Sequence, residues 1–223
     1  IILSALAYGK MPNVNNLKIK GLRDITLNDI SYCNQLGYKI KLLGNSLLSK
    51  SKNGEDELCC SVEPWLVSKN LGLASVAGVL NAVQIESSLA GSVMITGAGA
   101  GGEPTASAVL ADIVDYANET KLFSFGRNSN DIKSNYNTIP YTHKFRYYLR
   151  LNVVDKSGVL ADVTSIFKDY GLSIESFIQK SNQEDKTAEL VIITHEAEGS
   201  VLNNSLSKIS TLDGVITKPV SLS

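Results

Sequence analysis

Several things are scarce in these 223 residues, and each scarcity removes a class of function. Lysine and arginine number 21 against 22 aspartates and glutamates, a formal net charge of −1. That balance gives no electrostatic case for nucleic acid or for a membrane surface. No apolar run approaches the roughly 20 residues that a membrane span needs. Cysteine is limited to Cys33, Cys59 and Cys60. The last two are neighbours in a strand pattern, so their side chains point to opposite faces and neither pair with each other nor hold one metal. An odd, sparse set of thiols fits a reducing, cytoplasmic setting. The two histidines, His143 and His195, have no cysteine or carboxylate at ligand spacing. Both read as surface residues, and no metal site is expected.

What is present is enough apolar material, 43% of the chain, for a packed core in one large or two small domains. The opening stretch Ile1-Ile2-Leu3-Ser4-Ala5-Leu6-Ala7-Tyr8 is apolar on all sides, which predicts a buried helix. With no N-cap and no charge in its first turn, it reads as the end of a helix that begins upstream, and the chain as a piece of something longer. Gly9 can stop it. Asn13 to Lys20 is polar and loop-like. Thr26 and Asp29 have capping-box spacing for a helix to about Leu36, ended by Gly37. Tyr38, Ile40 and Leu42 alternate with Lys39 and Lys41 as a half-buried strand. Lys52-Asn53-Gly54 is a hairpin turn. On the return strand Leu58, Cys60 and Val62 alternate with Cys59, Ser61 and Glu63. Val79 to Glu86 and Ser92 to Thr96 give two more strands joined near Ala90-Gly91.

These elements lead to the run Gly97-Ala98-Gly99-Ala100-Gly101-Gly102-Glu103-Pro104-Thr105, followed by a helical pattern through Asp112-Ile113-Val114-Asp115 to about Glu119. Strand, glycine turn and helix start follow one another, and Pro104 suits a first helical turn. Gly97, Gly99 and Gly102 satisfy G-x-G-x-x-G. The dinucleotide fingerprint also demands a parallel strand and an acidic residue about 20 positions on. Here the acids lie inside the helix, and the preceding strands read as hairpins. Thr105 is expected to cap the helix.

Lys121 to His143 is rich in Asn and Ser and reads as an interdomain linker. After it the rhythm changes. Tyr147, Leu149, Leu151 and Val153 alternate, Asp155-Lys156-Ser157-Gly158 turns, and Val159 to Tyr170 is helical up to Gly171. Strands follow at Leu172 to Lys180 and Thr187 to Thr194, then a helix marked by Leu202, Leu206 and Ile209, and a strand at Val215 to Val220. The order βαββαβ is the ferredoxin-like arrangement, whose open sheet face and edges call for cover by side-by-side dimerisation. The predicted fold class is α+β: an antiparallel or mixed sheet with flanking helices over residues 1–120, a linker over 121–143, and the ferredoxin-like unit over 144–223.

The unit from Tyr147-Tyr148-Leu149-Arg150-Leu151 through Asp155-Lys156-Ser157-Gly158-Val159-Leu160 to Gly171-Leu172-Ser173-Ile174-Glu175-Ser176 resembles an ACT domain, a regulatory module that binds amino acids. Ser157 stands where that family usually has proline. Upstream, Leu36-Gly37-Tyr38-Lys39-Ile40, Asn81-Ala82-Val83, the stretch Gly97 to Ala108 and Asp112-Ile113-Val114-Asp115 together resemble homoserine dehydrogenase. Glu63-Pro64 departs from that family's frequent His-Pro.

The resemblance implies reversible hydride transfer between NAD(P)H and L-aspartate 4-semialdehyde, giving L-homoserine. It places the catalytic lysine, the substrate carboxylates and the Rossmann domain upstream of Ile1, so no catalytic residue and no tight cofactor binding are expected in this chain alone. It makes Gly101, with Gly99 and Gly102 beside it, the contact with the nicotinamide end of NAD(P). It implies a homodimer or higher homo-oligomer through the sheet domain and the ACT domain, with L-threonine as effector held by Asp155, Lys156, Gly158, Val159 and Leu160. Ser173 and Glu175, two residues apart, are expected to face the same ligand. The alternative from another class is a non-catalytic ACT regulatory or dimerisation module of another amino-acid biosynthetic enzyme.

Overall fold

The computed structural model describes residues 1–119, 123, 125–139 and 144–223. It divides into two compact units, Ile1–Pro12 with Val67–Tyr136, and Asn13–Leu66 with Asn137–Ser223. The architecture is α+β throughout. No helix among the described residues is long and apolar enough to cross a membrane.

The first unit opens with α1 (Ile2–Tyr8), which Gly9 ends in the left-handed conformation at φ 65°. Only Ser4 and Ala5 of this helix are buried, and Ile2 is 65% exposed, so the expectation of a helix buried all round is corrected. Strand β1 (Lys10–Pro12) pairs in parallel with β7 (Lys133–Tyr136). Residues read as linker therefore include a strand, although Thr120–Leu122, Ser124 and Pro140–His143, with the His143 reading, lie outside the described residues. Arg127 fixes this corner by donating from Nη2 to the Leu6 carbonyl at 3.0 Å. The short α3 (Gly72–Ser75) precedes the hairpin β5 (Leu80–Ser87) and β6 (Gly91–Ala98), antiparallel with Asn81 opposite Gly97. Helix α4 (Gly102–Ala117) follows, and neither it nor β6 buries a residue.

The second unit contains a four-stranded antiparallel sheet in the order β11-β8-β10-β9. Its strands are β8 (Tyr148–Val154), β9 (Ile174–Asn182), β10 (Thr187–Thr194) and β11 (Val220–Leu222). Helices α5 (Val159–Asp169) and α6 (Gly199–Ile209) cover one face. Alternation on β8 and β10 sends Leu149, Leu151, Leu190 and Ile192 to that face, where they pack with Val163, Phe167, Leu202 and Ile209.

The other face is covered too. The polar stretch read as a loop contains β2 (Lys18–Ile19), which runs parallel to β4 (Asp56–Ser68). With β3 (Tyr38–Lys50) these form a second sheet, ordered β2-β4-β3. Helix α2 (Leu27–Gln35) brings Tyr32 and Cys33 against Tyr148, Val191 and Ile193, with Leu36, Tyr38, Ile40 and Leu66 around them. The open face that called for a partner is thus occupied within the chain. The hairpin strands also depart from simple alternation. Leu42 is 50% exposed, and on β4 Val62 faces out while Glu63 is buried. An ion pair from Lys18 Nζ to Glu63 Oε2 at 2.6 Å compensates that burial.

Helix α2 is attached by a polar network. The capping box forms: Thr26 N–H donates to Asp29 Oδ2 at 2.7 Å, and Asp29 N–H to Thr26 Oγ1 at 3.3 Å. The same carboxylate accepts from Arg150 Nε at 2.6 Å and Nη2 at 3.2 Å, and from the Tyr148 hydroxyl. Tyr32 donates to Glu189 Oε2 at 2.6 Å. Burial alone would raise the Asp29 carboxyl, but the hydrogen bonds from Arg150, Tyr148 and Thr26 together hold it below its ordinary 3.8. Burial first, then the bond to Glu189, pushes the Tyr32 phenol up to about 12.

Asp29→Ala strands a buried guanidinium and is expected to destabilise the second unit by about 3–5 kcal/mol in urea unfolding near neutral pH. Because the folded-state value is depressed, the carboxylate's contribution is complete above pH 3.8 and disappears as pH falls through the folded value. The wild-type advantage over the variant should shrink in step. A pH-independent difference would show that packing, not charge, carries the effect.

Candidate functional site

The glycine turn follows directly from its hairpin. Beyond the end of β6 the Gly99 N–H still donates to the Val79 carbonyl at 2.8 Å, which carries the ladder into the turn. A Cβ on Gly99 would lie 1.9 Å from Asn81 Nδ2, so this glycine makes room for a side chain on the partner strand. Gly101 is the residue before α4, with φ 125° and ψ 155°, a backbone region that side chains disfavour. A Cβ on Gly97 or Gly102 would meet nothing within 4 Å, which leaves bare main chain open to approach. Thr105 does not cap the helix. It lies inside α4 and its hydroxyl donates back to the Gly101 carbonyl at 2.7 Å. Asn81, which the sequence offered only as part of the family resemblance and not as a site residue, is brought beside these glycines by its pairing with Gly97.

Gly101 and Gly102 leave bare main chain at the start of α4. The first turn of α4 carries the Glu103 carboxylate, which repels the phosphates that a helix N-terminus otherwise attracts. The strands before the turn are antiparallel, as the hairpin reading expects, and not the crossover pair of a dinucleotide fold.

The second predicted site lies in the other unit. Asp155, Lys156 and Gly158 are exposed at the turn between β8 and α5, and Gly158 precedes α5 at φ 101°. Val159 is half-buried against Gly214, where an added Cβ would come within 2.7 Å of Val159 Cγ2, and Leu160 is at the surface. Three of the turn's N–H groups already have partners: Asp155 donates to the Lys186 carbonyl and Lys156 to the Val154 carbonyl, each at 2.9 Å, and Val159 to the Lys156 carbonyl at 3.4 Å. Ser173 precedes β9. The pairing of β9 with β10 runs from Ser176 opposite Ile193 to Ile174 opposite Thr194, so Glu175 falls at an irregularity. The two-residue spacing of Ser173 and Glu175 therefore no longer guarantees a common face. Glu175 accepts an ion pair from Arg146 Nε at 2.7 Å, with exposed His195 3.9 Å away. No group of histidine, cysteine or acid suited to a metal occurs among the described residues, and burial raises the Cys33 and Cys59 thiols, Cys33 to about 12.

With this geometry in place, comparison with known proteins is specific. The homoserine dehydrogenase family model matches residues 1–114, and the ACT domain model matches residues 147–214. The homoserine dehydrogenase of Neisseria gonorrhoeae is 34% identical over 99% of this chain and 51% of its own length. That of Pseudomonas aeruginosa is 33% identical over 96% and 50%. The crystal structure of a homoserine dehydrogenase from Thiobacillus denitrificans superposes with a TM-score of 0.80 at 33% identity, covering 99% of this chain and 50% of that one. The chain thus spans about half the length of the relatives it matches.

The glycines are separable by experiment. Gly99→Ala is expected to cost about 1 kcal/mol, and adding Asn81→Ala should recover most of it, since the clash is with one short side chain. Gly101→Ala should cost about 1–3 kcal/mol through its dihedral angles, with no rescue by Asn81→Ala. Thermal unfolding of the four variants reads this out, and equal rescue of both glycines would overturn the assignment.

Proposed function

The chain belongs to the homoserine dehydrogenase family, and we propose that it forms the part of such an enzyme that closes on the nicotinamide and carries the amino-acid sensor. When bound, NAD(P)H supplies the hydride that reduces the aldehyde carbon of L-aspartate 4-semialdehyde to the alcohol of L-homoserine. The single observation that carries the reading is the turn from Gly99 to Gly102, whose main chain is open at Gly102 and left-handed at Gly101. Its residues bind by close backbone approach, orient the ring and exclude water. The catalytic groups are assigned to the half of the relatives' length that this chain does not span, so the 223 residues alone are expected to be inactive. The three cysteines are buried and form no disulfide, which supports a reducing, cytoplasmic setting.

The proposal includes a homo-oligomer. The β5–β6 hairpin exposes Ile85, Val93, Met94 and Ile95, an apolar surface of the kind that marks association. In the ACT unit β9 and β11 remain as edges. L-threonine is the proposed effector, with its carboxylate at the Asp155–Leu160 turn. Glu175 reaches the ligand's ammonium only by loosening its bond to Arg146.

Two measurements test these readings. NADPH consumption with L-aspartate 4-semialdehyde should be present in a chain extended to the relatives' full length, absent from the 223 residues, and strongly reduced by Gly101→Val in the extended chain. Turnover by the 223 residues alone would refute the division of labour. Titration calorimetry should show millimolar L-threonine binding that Asp155→Ala weakens. Absence of heat in the wild type would leave the ACT unit a dimerisation module.

A further inference from the structure

We propose that the second unit carries another small-molecule site, for a zwitterionic α-amino acid with an apolar side chain, in the cavity lined by Glu63, Trp65, Phe145, Tyr147 and the start of α6. It rests on different residues from the threonine reading and does not depend on it. The cavity measures about 870 Å3, within the size range of ligand pockets. Its innermost charge is Glu63, whose side chain is only 4% exposed. A carboxylate so enclosed is costly without full compensation. The compensation present is Lys18, the one cation among the described lining residues, on a side chain that is 65% exposed. With Glu198 also on the wall, the lining carries an excess of negative charge.

Aromatic rings line the same cavity. Trp65 and Phe145 meet edge to face with centroids 4.9 Å apart and planes at 87°. The Tyr147 hydroxyl lies at the start of α6, 3.2 Å from where a Cβ on Gly199 would be, so glycine at that position makes room for it. Burial and then the Glu63 charge raise the Tyr147 phenol, which keeps it a neutral donor. A buried carboxylate beside aromatic faces is chemistry for an ammonium group. A ligand ammonium on Glu63 releases Lys18, which then meets the ligand's carboxylate together with the free N–H groups of the first turn of α6. The apolar side chain is left to Trp65, Phe145 and Ile139. Glu63 also occupies the position at which the sequence departs from the His-Pro of its family resemblance.

Trp65 is the single tryptophan in the chain, so its emission reports on this cavity alone. The full chain is titrated with L-leucine, with 3-methylbutylamine (no carboxylate) and with 4-methylpentanoate (no ammonium). The expected result is a saturable emission change with L-leucine, with 4-methylpentanoate weaker by about tenfold or more. Glu63→Gln should weaken L-leucine by about tenfold, while Asp155→Ala leaves its Kd unchanged. Should Glu63→Gln fail to fold, Asn203→Phe, at an exposed α6 position on the cavity wall, should abolish binding by obstruction. No saturable response to L-leucine overturns the proposal. So does equal affinity for 4-methylpentanoate, or binding that survives both Glu63→Gln and Asn203→Phe, or binding lost in Asp155→Ala.

Discussion

The second unit depends on one carboxylate. Asp29 closes the capping box of α2 and at the same time receives Arg150 and Tyr148 from β8. Arg150 and Tyr148 are two residues apart, so the strand's own alternation presents both to Asp29 while Leu149 and Leu151 point to the opposite core. Sliding β8 by one residue would bury the guanidinium among the α5 and α6 side chains and turn leucines toward Asp29 instead. A buried ion pair contributes little net stability over an apolar replacement, but its loss on one side is severe. Its effect here is on register: only one placement of α2 on the sheet satisfies the cap, the guanidinium and the phenol together.

That attachment changes how regulation can be pictured. Residues 13–66 lie within the homoserine dehydrogenase match, whereas β8, β9 and β10 belong to the ACT match. Both are parts of one compact unit, with Tyr32 of α2 bonded to Glu189 of β10. On the proposed reading, a ligand that shifts β8 or β10 would act on α2 and the strands beside it by direct contact, so the coupling to be sought is that between two packings of α2 against the sheet.

Much of this was legible in sequence where local and tertiary demands agree. The capping box at Thr26 and Asp29, the helix from Val159 to Asp169 and the strand Thr187–Thr194 all stand where periodicity places them. Failures occur where a distant segment decides. Four residues, Lys133–Tyr136, have no readable period, and they are a strand because β1, more than a hundred residues earlier, pairs with them. Val62 and Glu63 exchange their expected faces because β2 supplies Lys18 beside β4. The cover on the open sheet face was invisible for the same reason: α2 has an ordinary amphipathic pattern that does not say which surface it meets.

The glycine turn shows the limit more sharply. Sequence alone marks Gly99, Gly101 and Gly102 as one motif, yet their environments differ. Gly99 yields to Asn81 and Gly101 to its dihedral angles, whereas a Cβ on Gly102 would meet nothing within 4 Å. Of these only Gly102 is without an internal explanation, since a methyl group there is free of clashes and helix α4 would gain from it. On the proposed reading, Gly102 rather than Gly99 is therefore the position that a bound nicotinamide ring would need kept bare.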